Sequence, residues 1–181
     1  GWGFTINDEI ENLRAAQEHL KIVNLGATAI GTTVTAAPGY PELAVKNLAE
    51  LTGIDFKNSE DLIAATSDCG AYMTLSSAIK GLAVKMTKVC NDIRLLASGP
   101  RCGLKEINLP QLQPGSSIMP GKVNPVAAEV ANQASFLAIG LDTTVMLAAS
   151  AGQLELNVME PVITFALYTQ MKVMTNACDT L

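Results

Sequence analysis

Two adjacent hydroxyls, a lysine and a carboxamide fall close together in Gly115-Ser116-Ser117-Ile118-Met119-Pro120-Gly121-Lys122-Val123-Asn124-Pro125. Glycines let successive backbone N–H groups turn toward one anion and form a nest. Lys122 adds a full positive charge, and Asn124 adds two more donors. Such a segment suits the capture of a small anion on which a serine hydroxyl then acts. A phosphate-binding loop is excluded by counting. That motif places four residues between its glycines and a hydroxyl after its lysine. Here five residues separate Gly115 from Gly121, Val123 follows Lys122, and no strand precedes the loop. The competing reading is a Gly/Ser connector carrying a solvated lysine. On residue types alone both readings stand.

Glu129 is the second candidate. It lies on an otherwise apolar helix, one turn past the loop. A buried carboxylate without a partner costs several kcal/mol, so a buried Glu129 requires one. The alternative is a solvated acid at a helix start, favoured by the helix dipole. The single histidine, His19, sits in the first amphipathic helix and reads as a surface or seam residue. Cys69, Cys90, Cys102 and Cys178 are widely spaced with no C-x-x-C pair, so they read as reduced thiols acting as small hydrophobes.

The elements that must position these residues are helical. Apolar residues at three-and-four spacing (Ile6, Ile10, Leu13, Leu20) predict a helix over 5–23, ended by Asn24-Leu-Gly26 with Gly26 as its cap. A short helix is expected over 42–51, stopped by Gly53. Leu75, Ile79, Leu82, Met86, Val89, Ile93 and Leu96 form a heptad seam flanked by Ala83, Cys90 and Ala97. Ser77, Lys80, Thr87, Asn91 and Arg94 fall on the far side. A helix over 59–98 is expected, ~60 Å long at ~1.5 Å per residue. Five prolines and four glycines within 99–125 exclude a helix there, and long irregular stretches in compact domains are usually functional. Pro125 then opens an apolar helix through Ala149, and a last helix runs from about Val158. No β-rich alternation or internal repeat is present. The expectation is an all-α, elongated up-and-down bundle.

Composition narrows the function. A net charge of −5 without a Lys/Arg cluster argues against nucleic acid. The most apolar run, 126–150, contains Glu129, Asn132, Gln133 and Asp142, too polar for a membrane span. No signal peptide is evident, and the reading is cytoplasmic. An apolar fraction of 49% against 16% charged residues implies burial against partner subunits. The chain starts without Met at Gly1 and stops at Leu181 inside an apolar pattern, which reads as a segment of a longer chain.

The loop matches every fixed position of G-S-S-x-M-P-x-K-x-N, and the chain therefore resembles the aspartase/fumarase superfamily. Asn24 to Thr32, Ala65 to Tyr72, Cys90 to Arg94, Glu106 to Pro110 and Ala151 to Ile163 look like the aspartate ammonia-lyase branch. Ser98-Gly-Pro-Arg101 is shared with fumarases. The resemblance implies residues 1–181 form part of the central helical-bundle domain, with the N- and C-terminal domains outside this chain. It implies a homotetramer whose active sites are each shared by three subunits. The implied reaction is reversible elimination of ammonia from L-aspartate to fumarate through an aci-carboxylate, without metal or organic cofactor. Fumarate hydration, or an inactive helical oligomerisation module, is the alternative. By position, Ser116 would be the base, Ser117 a lesser contact, Lys122 and Asn124 the substrate-carboxylate ligands. Glu129 would orient the family's catalytic histidine, whose Thr-His motif lies upstream of this sequence. Three positions depart from the family pattern: Thr33 replaces a glycine, Asp142 a common Asn, and Ser150 a frequent Glu.

Overall fold

The computed structural model describes residues 1–115, 118–119 and 121–181. Ser116, Ser117 and Pro120 lie outside the described residues. The elements run α1 Trp2–His19, β1 Ile22–Val23, α2 Tyr40–Thr52, β2 Lys57–Asn58, α3 Ala64–Ser67, α4 Gly70–Leu96, α5 Val126–Ala149 and α6 Glu160–Thr180. The expected helical bundle is formed by α4, α5 and α6, with α1 laid on α4.

The helices approach closely because the residues between them are small. Ala83, Cys90, Ala131, Ala138 and Ala166 are fully buried, as are Ser76 and Ser135. Buried hydroxyls and amides need partners. Ser135 Oγ donates to the carbonyl of Ala131 at 2.8 Å, and Gln170 Nε2 donates across to the carbonyl of Ala138 at 2.9 Å. Ile163 is the bulkiest fully buried side chain, and its burial contributes roughly 1.5–3 kcal/mol.

Several expectations need correction. The long helix over 59–98 is broken. Asp61 Oδ1 accepts from the N–H groups of Ile63 and Ala64, starting α3, and Asp68 is extended at ψ 125° while its Oδ1 accepts from Gly70 N–H. Side-chain competition for backbone donors interrupts the helix there. With 27 residues, α4 is ~40 Å long. Its buried stripe is Ser76, Ile79, Ala83, Met86 and Cys90, shifted from the expected seam. Leu75, Leu82 and Ile93 pack at the margin, and the small residues beside the seam are the deepest.

The far side of α4 bonds across to α5. Lys80 Nζ bonds Asp142 at 2.5 Å, Ser76 Oγ donates to the same carboxylate at 2.7 Å, and Asn132 Nδ2 donates to Asn91 Oδ1 at 2.8 Å. The first helix ends at His19 rather than 23, because Ile22 and Val23 pair in parallel with Lys57 and Asn58. Two residues are too few for alternation to reveal, and Gly26 lies beyond this strand rather than capping the helix. Gly53 does cap α2, at φ 71°. Thr33 adopts φ 56°, a left-handed conformation that disfavours β-branched residues.

Candidate active site

The segment between α4 and α5 is tied to the end of α4 by backbone hydrogen bonds. Ser98 Oγ accepts from Leu104 N–H at 3.1 Å, and its carbonyl accepts from Lys105 N–H at 2.7 Å. Glu106 N–H reaches the carbonyl of Leu96 at 2.8 Å. These bonds satisfy carbonyls that a helix C-terminus leaves open.

Gly115 and Lys122 approach each other closely. A Cβ on Gly115 would lie 2.6 Å from the carbonyl oxygen of Lys122, so only glycine permits this approach. Lys122 N–H donates to Met119 O at 3.2 Å, turning the chain just before α5. Glu129 N–H then bonds Pro125 O at 3.0 Å in the first helical turn.

Between these two segments lies an open cleft of about 700 Å³. Lys122 lines it together with Met119, Gly121 and Val123. Arg101, Lys105 and Asn108 line it from the α4 side. Sequence reasoning gave none of the three a site role: Arg101 and Asn108 entered only within family-like strings, and the Gly/Pro density of residues 99–125 marked their segment. Asn124 is half-buried and is not among the lining residues. Glu129 is half-buried too, and no side-chain bond or ion pair joins it to the described residues. The serine positions, Ser116 and Ser117, fall outside the described residues.

A smaller cleft of about 450 Å³ is bordered by His19, Asp68, Tyr72 and Glu160. Burial, then the charge of Glu160, pushes the Tyr72 hydroxyl above its ordinary range. His19 is exposed at its rim, in keeping with a surface reading. Cys69 and Cys90 are buried free thiols raised by desolvation, which leaves them inert, whereas Cys102 and Cys178 are exposed and not core residues.

A lyase family model matches residues 1–140, spanning α1 through the segment after α4 into α5. The chain belongs to this lyase family. Among lyases, it is 60% identical over 176 residues to the aspartate ammonia-lyase of Escherichia coli (strain K12), covering 97% of this chain and 37% of that relative. The fumarate lyase:delta crystallin of Brucella melitensis superposes with a TM-score of 0.94 at 45% identity, over 97% of this chain and 38% of that one. A class II fumarase of Schistosoma mansoni superposes with a TM-score of 0.90 at 32% identity, over 98% of this chain and 40% of that one. The chain thus spans little more than a third of the length of the lyases it matches. No helix among the described residues is long and apolar enough to cross a membrane.

Proposed function

We propose that this lyase segment carries the substrate-gripping loop and the helical scaffold of an aspartate ammonia-lyase acting in the cytoplasm. The parent enzyme takes L-aspartate, and its product is fumarate plus ammonia. The observation that carries this reading is Lys122. It lines a cleft bounded by further cations, and its backbone carbonyl meets Gly115 at the head of the Gly-Ser-Ser string.

Ser116 would remove a proton from the carbon next to the β-carboxylate. The electron pair moves into that carboxylate to give an aci-carboxylate dianion, then returns to form the double bond as ammonia leaves with its bonding electrons. Donors preorganised around the accumulating charge lower the barrier most. Lys122 supplies charge, Asn124 and Ser117 supply hydrogen bonds, and Glu129 orients a histidine from outside this chain. The substrate carboxylate serves as electron sink, so the scheme uses no metal or organic cofactor.

Residues 1–181 belong, on this reading, to a central helical domain flanked by N- and C-terminal domains. The exposed apolar sides of α5 and α6 favour self-association. Phe136, Leu137 and Leu147 on α5 and Phe165 and Tyr168 on α6 are at least half exposed. A homotetramer with sites shared by three subunits accounts for these faces, and sedimentation analysis of the full-length protein tests it.

The decisive assay is ultraviolet absorbance of the full-length protein with L-aspartate. Rising absorbance from fumarate supports the proposal. A response to malate with aspartate inert refutes it in favour of fumarate hydration, the reading suggested by likeness to the Schistosoma fumarase. The 181-residue chain alone is expected to be inactive, and turnover by it would refute the external histidine. Calorimetry with succinate on a full-length Ser116→Ala variant tests the base: binding is kept and turnover lost.

A further inference from the structure

We propose that Arg101 and Lys105 are selectivity residues that make the cleft prefer dianionic over monoanionic carboxylates. This rests on reading the cleft as a carboxylate site. Three cations, Arg101, Lys105 and Lys122, line one cleft in a chain whose net charge is −5. No acidic side chain is among the described lining residues, and none of the three cations has an ion-pair partner among the described residues. Unpaired like charges around one space repel each other, and a bound dianion relieves more of that repulsion than a monoanion.

The backbone constrains the position of Lys105. Lys105 holds φ 49°, a left-handed conformation rare for a residue with a side chain, while its N–H donates to Ser98 O at 2.7 Å. Strain of this kind persists where the surroundings over-determine it and clusters at ligand sites. Two residues earlier, a Cβ on Gly103 would lie 2.3 Å from backbone atoms of Ser98 and Gly99, so the turn tolerates no side chain there. The turn between Ser98 and Lys105 is thereby folded tightly back on itself just beyond the end of α4. Asn108 adds a neutral donor, and Ile107 and Val123 supply apolar wall for a short carbon chain.

The test compares succinate, a dianion, with succinamate, its monoanionic amide, by calorimetry on the full-length protein. Arg101→Gln and Lys105→Asn remove charge, and asparagine tolerates the left-handed backbone at position 105. Each substitution is expected to weaken succinate about tenfold and succinamate no more than about twofold, the difference one charge contact makes. Arg101→Lys should retain the preference, and Lys46→Gln, on α2 away from the cleft, should leave it untouched. Raising the salt concentration on the unmodified protein should narrow the preference, an effect that needs no variant to fold. A succinate-to-succinamate ratio unchanged in both variants, or insensitive to salt, overturns the inference. So does a protein that binds neither ligand. Succinate preferred in the expected pattern without turnover of aspartate overturns the proposed reaction alone.

Discussion

Glu9 is 4% exposed on α1, and its carboxylate pairs with Lys85 of α4 and accepts from Asn12 at 3.2 Å. Gly81, one turn before Lys85, makes room for it: a Cβ there would sit 2.7 Å from Glu9 Oε2. This predicts a sign reversal. Replacing a helical glycine by alanine normally stabilises by about 1 kcal/mol. In the native background Gly81→Ala must instead displace a carboxylate held by two donors. Removing one partner of a buried pair costs about 3–5 kcal/mol, but the Lys85 side chain is 32% exposed, so about 2 kcal/mol is the appropriate scale. The net expectation for Gly81→Ala is a loss of about 1 kcal/mol. In a Glu9→Ala background the same substitution should gain about 1 kcal/mol. Urea unfolding followed by far-ultraviolet circular dichroism at fixed protein concentration reads both legs of the cycle. Equal stabilisation by Gly81→Ala in the two backgrounds would refute the reasoning. The hydrogen bond from Lys85 holds the Glu9 carboxyl below its ordinary range. The folded state therefore binds its proton less readily than the unfolded chain. The pair's contribution is full above about pH 4.3, the ordinary glutamate value, and is lost as pH falls through the lower folded value. Glu9→Gln should abolish that part of the acid dependence.

Further outcomes follow from other sites. Thr33→Gly should raise stability by about 1 kcal/mol in the same unfolding assay, because it relieves a left-handed backbone. Asp142→Ala should cost about 2 kcal/mol, since Ser76 is fully buried and loses its cross-helix acceptor. Asp142→Asn keeps an oxygen for Ser76 and should cost about half as much. In the full-length protein, Lys122→Met should lower turnover of L-aspartate by about a hundredfold or more without changing the helical circular dichroism signal.

What the sequence by itself determined was local. Periodicity of apolar residues located α1, α2, α4, α5 and α6, because a helix repeats its burial within a few residues. Gly53 and Pro125 punctuated it through backbone sterics alone. The loop motif singled out Lys122 as a candidate anion ligand, since glycine spacing and a lysine are legible without knowing what surrounds them; that it lines a cleft is added by the structure. Tertiary structure decided which stripe of α4 went deepest, because close approach to α5 and α6 selects Ser76, Ala83 and Cys90 over larger neighbours. It also decided that Lys80, on the far side of the seam, meets Asp142, and that Arg101 and Lys105 share a cleft with Lys122. Those residues stand far apart along the chain or on a turn folded back onto a helix end. No local pattern encodes such a meeting, because it depends on how separate elements pack.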